Sequence, residues 1–291
     1  MNDFIVDLQN VDSQDKAFLL FRHILLGCSY DYANNFYVKH NSLIESTYIT
    51  EHNKILEYSC KSKGLVSEVE QLAILNKNGS WTKEQEETYQ ERFKRIQDLE
   101  ISKKKLVIPA QIRQAQLILE QEMKDFSVFF IERDQILGLT IDSFINSKTY
   151  QYYIEHFFYK DESLTRRLFT DEEYEELSQN EIKQFYNYYF DFQQVFNERN
   201  LKKITCCPLV LNTLFLSNTP VDFFNKSISE LTLNQITLYS NYIYYKNLIN
   251  SPGFKSVPQE YYNSLDRLVD YYDQQYSTLM SKNSSKKEKF R

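Results

Sequence analysis

Four histidines, forty carboxylates and four cysteines are the groups from which this 291-residue chain could build metal binding, acid–base work or nucleophilic attack. No two of His23, His40, His52 and His156 stand at the spacing that puts two imidazoles on one helical face, so no histidine metal site is built locally. The E-x-x-H spacing of a di-iron bundle does not occur, and Glu155 and His156, if helical, point about 100° apart, which suits no shared ion. The acidic run Asp171–Glu176 reads as a solvated helix start favoured by the helix dipole rather than as an acid/base pair. Cys28, Cys60, Cys206 and Cys207 fit neither a disulfide framework nor a C-x-x-C pair, and the adjacent two read as apolar packing. No G-x-S-x-G turn is present to strain a nucleophile. Gly27, Gly64, Gly79, Gly138 and Gly253 never cluster, which excludes a phosphate-cradling loop. Catalysis is therefore expected to be absent unless distant residues assemble a site, and no cofactor is expected.

The elements that would have to position any site are helical. Ser13 caps a helix carrying Phe18, Leu19 and Leu26 that ends near Gly27, preceded by a short strand over Phe4–Leu8. Tyr30 to Cys60 reads as helices with a break near Lys39–Ser42. Ser67 with Glu70 and Thr82 with Gln85 are capping boxes on either side of Asn76-Lys77-Asn78-Gly79. Tyr89, Phe93, Ile96 and Leu99 then form one stripe, and beyond Pro109 so do Ile112, Ala115, Leu119, Met123 and Phe126. These two helices are expected to pair as an antiparallel hairpin over about residues 82–134, forming an arm or part of a bundle. Thr170 with Glu173 opens a helix through Leu177, Phe185, Tyr189, Phe192 and Phe196. Pro208 begins a segment through Leu209, Val210, Leu211, Leu214 and Phe215, expected to lie centrally. Thr232 with Gln235 caps another helix, and Pro258 opens the last. The expected fold is all-α, with a lobe at 1–138, a second, aromatic-rich lobe at 139–281 and a basic, frayed tail at 282–291.

Composition narrows the partners. The net charge of −6 offers no global field for a polyanion, so nucleic acid is the alternative reading, resting on Lys103, Lys104, Lys105, Arg166, Arg167 and the tail. No apolar run approaches the roughly 20 residues needed to cross a bilayer, so no membrane partner is expected. An acid at Asp3 argues against an export signal, and the cysteine usage suits a reducing compartment. The chain holds 23 Tyr and 21 Phe against 5 Gly and 5 Pro, a bias that A/T-rich codons also produce. In the pairs Tyr152-Tyr153, Tyr188-Tyr189, Tyr244-Tyr245, Tyr261-Tyr262 and Tyr271-Tyr272, one ring can enter the core while its neighbour lies near the edge. Exposed tyrosines suit protein interfaces. Trp81, Tyr152, Tyr188, Tyr244 and Tyr271 are accordingly the candidate partner-interface residues.

The stretch Ser80-Trp81-Thr82-Lys83 with its following amphipathic helix resembles helical proteins of tailed bacteriophages, T4-like or crAss-like. So does Asp222-Phe223-Phe224-Asn225-Lys226 with Leu231-Thr232-Leu233-Asn234-Gln235. The resemblance implies a non-enzymatic tail, neck or baseplate subunit or assembly factor, in the virion or the host cytoplasm. It would bind other phage proteins or further copies of itself, and the resemblance assigns no functional residue.

Overall fold

A computed structural model describes residue 8, residues 10–104, residue 106 and residues 108–288. Among these, thirteen α-helices accompany three short strands. In chain order they are α1 (Gln14–Leu26), β1 (Cys28–Asp31), β2 (Phe36–Lys39), α2 (Leu43–Ser62), α3 (Glu68–Asn78), α4 (Lys83–Lys104), α5 (Pro109–Leu137), α6 (Ile141–Phe157) and β3 (Phe158–Tyr159). There follow α7 (Asp171–Glu175), α8 (Gln179–Gln193), α9 (Glu198–Cys206), α10 (Pro208–Leu214), α11 (Pro220–Phe224), α12 (Leu233–Ile249) and α13 (Leu265–Glu288). The protein is mostly α-helical, as its periodicity predicts.

Contacts divide the chain into two compact units, one of residues up to Glu51 together with those from Thr149 onward, the other of His52–Lys148. This differs from a boundary at residue 138. Gly138 and Thr140 do end one helix and start the next, Thr140 accepting from the Ser143 amide at 3.1 Å, but the chain stays within the second unit until Lys148.

In the first unit the helical reading of Tyr30 to Lys39 is corrected to strands, whereas the segment beyond the break at Lys39–Ser42 is helical, as α2. β1 and β2 form an antiparallel hairpin, with Cys28 opposite Lys39 and Asp31 opposite Phe36, and β3 adds to β2 through Val38 and Phe158. Asp31 nucleates the turn: its Oδ1 accepts the amides of Ala33 at 2.8 Å and Asn34 at 3.1 Å, and Asn35 takes the left-handed conformation at φ 58°. Alternation of buried Phe36 and Val38 with half-buried Tyr37 and Lys39 is the strand signature.

The most enclosed helix of this unit is α9, which buries Asn200, Leu201, Lys203, Ile204, Thr205 and Cys206. Its polar groups are internally satisfied: Asn200 donates to the Val195 carbonyl at 2.8 Å, Lys203 reaches Asp266 at 2.9 Å and Asn10 at 3.1 Å, and Thr205 donates to the Leu201 carbonyl at 2.7 Å. The central place expected of the segment after Pro208 thus belongs to α9. In α10 only Val210, Leu211 and Leu214 are buried, while Leu209, Phe215 and Leu216 face outward. The helix opened by Thr170 is also shorter than expected, because Ser178 and Glu181 form a second capping box that restarts the chain as α8. Pro258 opens a 3₁₀ turn, Gln259–Asn263, rather than α13 itself.

The second unit is built on α4 and α5, which pair antiparallel, with α3 packed on α5. A spacing of three and four residues brings Glu86, Tyr89, Phe93 and Ile96 against Leu119, Phe126, Phe130 and Arg133, a coiled-coil-like seam whose stripe also includes Met123. The expected strand at Phe4–Leu8 lies outside the described residues except for Leu8. Of the expected tail, the backbone through Glu288 continues α13, and residues 289–291 lie outside the described residues.

Candidate interaction surface

Groups capable of chemistry are dispersed, and those inside the first unit are locked in. Among the described residues no group of three or more His, Cys, Asp or Glu is placed to hold a metal ion. His40 is fully buried, its Nε2 2.8 Å from Ser29 Oγ and its Nδ1 3.4 Å from Asn234 Nδ2, against the rings of Phe192 and Phe196. Burial pushes its pKa down to about 3, helped by the charges of His23 and Lys226. His23 is pushed down to about 4, again by burial and then by Arg22. Burial raises the thiol of Cys28 to about 11 and that of Cys206 further still. These cysteines are therefore protonated and unreactive at neutral pH.

Two of the five candidate interface residues are consumed inside the fold. Trp81 is 1% exposed: its ring packs on Phe129 at 5.1 Å, its Nε1 donates to Glu86 at 2.9 Å, and it lines an open cleft with Leu72, Ala73 and Asn76. Tyr188 is 2% exposed, donates to Asp31 and packs on Phe36 at 5.4 Å. Both are corrected to core residues, because each indole or phenol head finds a carboxylate inside its own unit. The other three are half-buried. Tyr152 lies on His156 at 4.3 Å and near Tyr48 at 5.5 Å, and burial, with Glu45 and neighbouring tyrosines, raises it to about 12. Tyr244 donates to Asp273 at 3.3 Å, and Tyr271 shares its hydroxyl hydrogen between the carbonyls of Lys255 at 3.0 Å and Ser256 at 3.1 Å. Each of these three is paired with a buried neighbour, Tyr153, Tyr245 or Tyr272, as adjacent helical positions require. Trp81 belongs to the second unit and the other four to the first.

Of the cations that could hold a nucleic acid, the three whose side chains are described are engaged locally. Lys103 donates to Gln116 at 2.7 Å, and Arg166 and Arg167 stand 3.8 Å from Asp161 and Asp171 respectively. Lys105, the side chain of Lys104 and the tail side chains lie outside the described residues.

A feature that sequence reasoning missed organises the second unit. Arg133, 7% exposed, makes a bidentate pair with Glu86 at 2.8 and 3.0 Å, reaches Glu68 at 2.6 Å and lies 4.3 Å from the Tyr89 ring. One guanidinium thereby ties α3, α4 and α5 together. Burial opposes the Glu86 charge, but hydrogen bonds from Arg133, Gln90 and Trp81 hold its carboxyl below the usual range. Arg133 stands seven residues after Phe126 and fourteen after Leu119, so the heptad itself was the available signal.

The helices of this unit leave much apolar surface uncovered. Leu117 is 62% exposed, Val128 70% and Ile131 53% along the outer side of α5, and Phe93 and Met123 are exposed although they stand at seam positions. No described helix is long and apolar enough to cross a membrane. The chain matches no family model, no curated protein and no solved structure.

Proposed function

We propose that the protein is a structural or assembly subunit that works by binding other proteins, with the α4–α5 arm as its principal docking element. The observation that carries this reading is the imbalance of the second unit: among the described residues it has nine buried hydrophobic residues and fourteen exposed large ones. Apolar surface left in water is unfavourable by roughly 25 cal/mol per Å², and an excess of exposed apolar side chains is a mark of interaction surfaces. Membership of a tailed-phage particle or its assembly pathway is the setting that the sequence resemblance suggests, and a binding arm suits it.

Crosslinking mass spectrometry on particles and infected lysate tests the reading, using the exposed lysines Lys94 and Lys124 on the arm. Crosslinks from these lysines to virion or assembly proteins are expected. A protein that fails to co-purify with any such partner, and whose arm lysines link only within their own chain, contradicts it.

A further inference from the structure

The α4–α5 hairpin has two flanks of unequal character. One is closed: Trp81 and α3 cover Phe129 and Ile136, Arg92 lies 5.8 Å from the Phe129 ring, and Arg95 bridges to Glu122 at 2.7 Å. On the other, Phe93 is 41% exposed and Met123 47%, although both occupy seam positions. Helical periodicity places exposed Gln90, Gln97 and Ser127 around them. We propose that this open flank is where two copies of the chain associate, joining two hairpins into a four-helix bundle. The inference rests on the docking role of the arm and names an occupant for one of its faces.

Three considerations select a second copy. A two-fold contact sets each group near its own duplicate, so a charged patch repels itself and a self-interface needs a neutral centre. Gln90, Phe93, Gln97, Met123 and Ser127 carry no charge, whereas an acidic or basic partner would call for a charged patch. Secondly, phenylalanine and methionine amid uncharged polar residues is the composition of an interface core. Thirdly, α4 has 22 residues and α5 has 29. Helices about 30 Å long and about 10 Å apart present roughly 600 Å² of flank, approaching the about 800 Å² per partner of a standard interface, whereas a single docked helix covers only about half of it. Of the acids beside this patch, Glu86 lies toward the hairpin base, where Gln90 donates to it at 2.7 Å and Arg133 neutralises it, and Glu100 and Glu120 lie toward the tip, where Gln116 holds Glu120 at 2.6 Å. An antiparallel two-fold, with the α4 helices crossing near Phe93, keeps the two acidic tips at opposite ends.

Sedimentation equilibrium of the full chain tests this. The wild type should form a dimer in the micromolar range, and Phe93→Glu with Met123→Glu should raise the dissociation constant about 100-fold or more, with helical circular dichroism unchanged. Should that variant misfold, Gln97→Cys treated with a short bismaleimide should yield covalent dimer. A wild type monomeric at every concentration, a dimer indifferent to the two glutamates, or no crosslink at Gln97→Cys overturns the proposal. A monomer whose arm lysines still crosslink to other proteins overturns the dimer alone, and an arm silent in both experiments removes the docking role as well.

Discussion

The two units share one helical vocabulary and use it differently. Among the described residues the first has thirty-seven buried hydrophobic residues against seventeen exposed large ones, and the second has nine against fourteen. In the first, a ladder of rings from Phe36 through Phe158, Tyr189, Phe157 and Tyr153 fills a continuous core. In the second, seven buried residues and one ion cluster hold a long hairpin. A sealed core explains a stable body, whereas a thin core under an uncovered apolar surface is what a docking element requires. Tyrosine abundance, read as an interface signal, belongs mainly to the sealed unit.

The contrast can be broken most severely from the aromatic side. Phe157 is fully buried with Tyr153 at 5.1 Å and Tyr189 at 4.9 Å, so Phe157→Ala should destabilise the first unit by about 3–5 kcal/mol in denaturant unfolding. The transition reported by the second unit should stay in place.

Arg133→Met removes the shared cation and leaves Glu86 and Glu68 without it. The expected loss is about 3 kcal/mol, at the low end of the range for a fully enclosed pair because Glu68 is 38% exposed. It should appear in the second unit's transition, read by the fluorescence of Trp81, and an unmoved transition would show that the clamp is dispensable.

Acid should separate the units further. His23 and His40 are buried with pKa values pushed down to about 4 and about 3, while in the unfolded chain histidine titrates near 6.5. As pH falls the unfolded state takes up protons first, so stability is whole above pH ~6.5 and declines toward pH 4. For His23 alone the loss is on the order of 3 kcal/mol by pH 4. A variant with both His23→Gln and His40→Gln should flatten that decline, measured as unfolding free energy against pH, whatever its offset at pH 7.

The smallest effect sharpens the comparison. Val128→Lys, at a side chain 70% exposed, should alter chain stability by no more than about 0.5 kcal/mol in thermal unfolding, because no core is disturbed. A large loss would mean that the outer side of α5 is needed within its own chain.

Local syntax made much of the fold legible. The Ser67, Thr82, Thr170 and Thr232 boxes form as reciprocal hydrogen bonds, because three residues fix both partners within one turn. The hairpin too follows from its stripes and Pro109. What stayed hidden depends on long-range partners: the β1–β2 hairpin needs β3, more than a hundred residues away, and Arg133 needs Glu68 and Glu86 from two other helices. Residue type is all that marks the interface candidates in the sequence, and type cannot tell a tyrosine facing water from Tyr188, whose hydroxyl meets Asp31 inside the core. Exposure of Phe93 and Met123 is equally invisible in the stripe, since only the number of helices packed on it decides which flank is covered.

Native-state hydrogen exchange of the whole chain, at low and high concentration, tests most directly whether the thinly cored arm is the surface that seeks a partner. In dilute protein the amides of α4 and α5 near Phe93 and Met123 should open at free energies well below those of α8 and α9, and raising the concentration should slow exchange in the arm alone. Arm amides as protected as those of α9 when dilute, or a concentration effect falling on the first unit instead, would contradict the account.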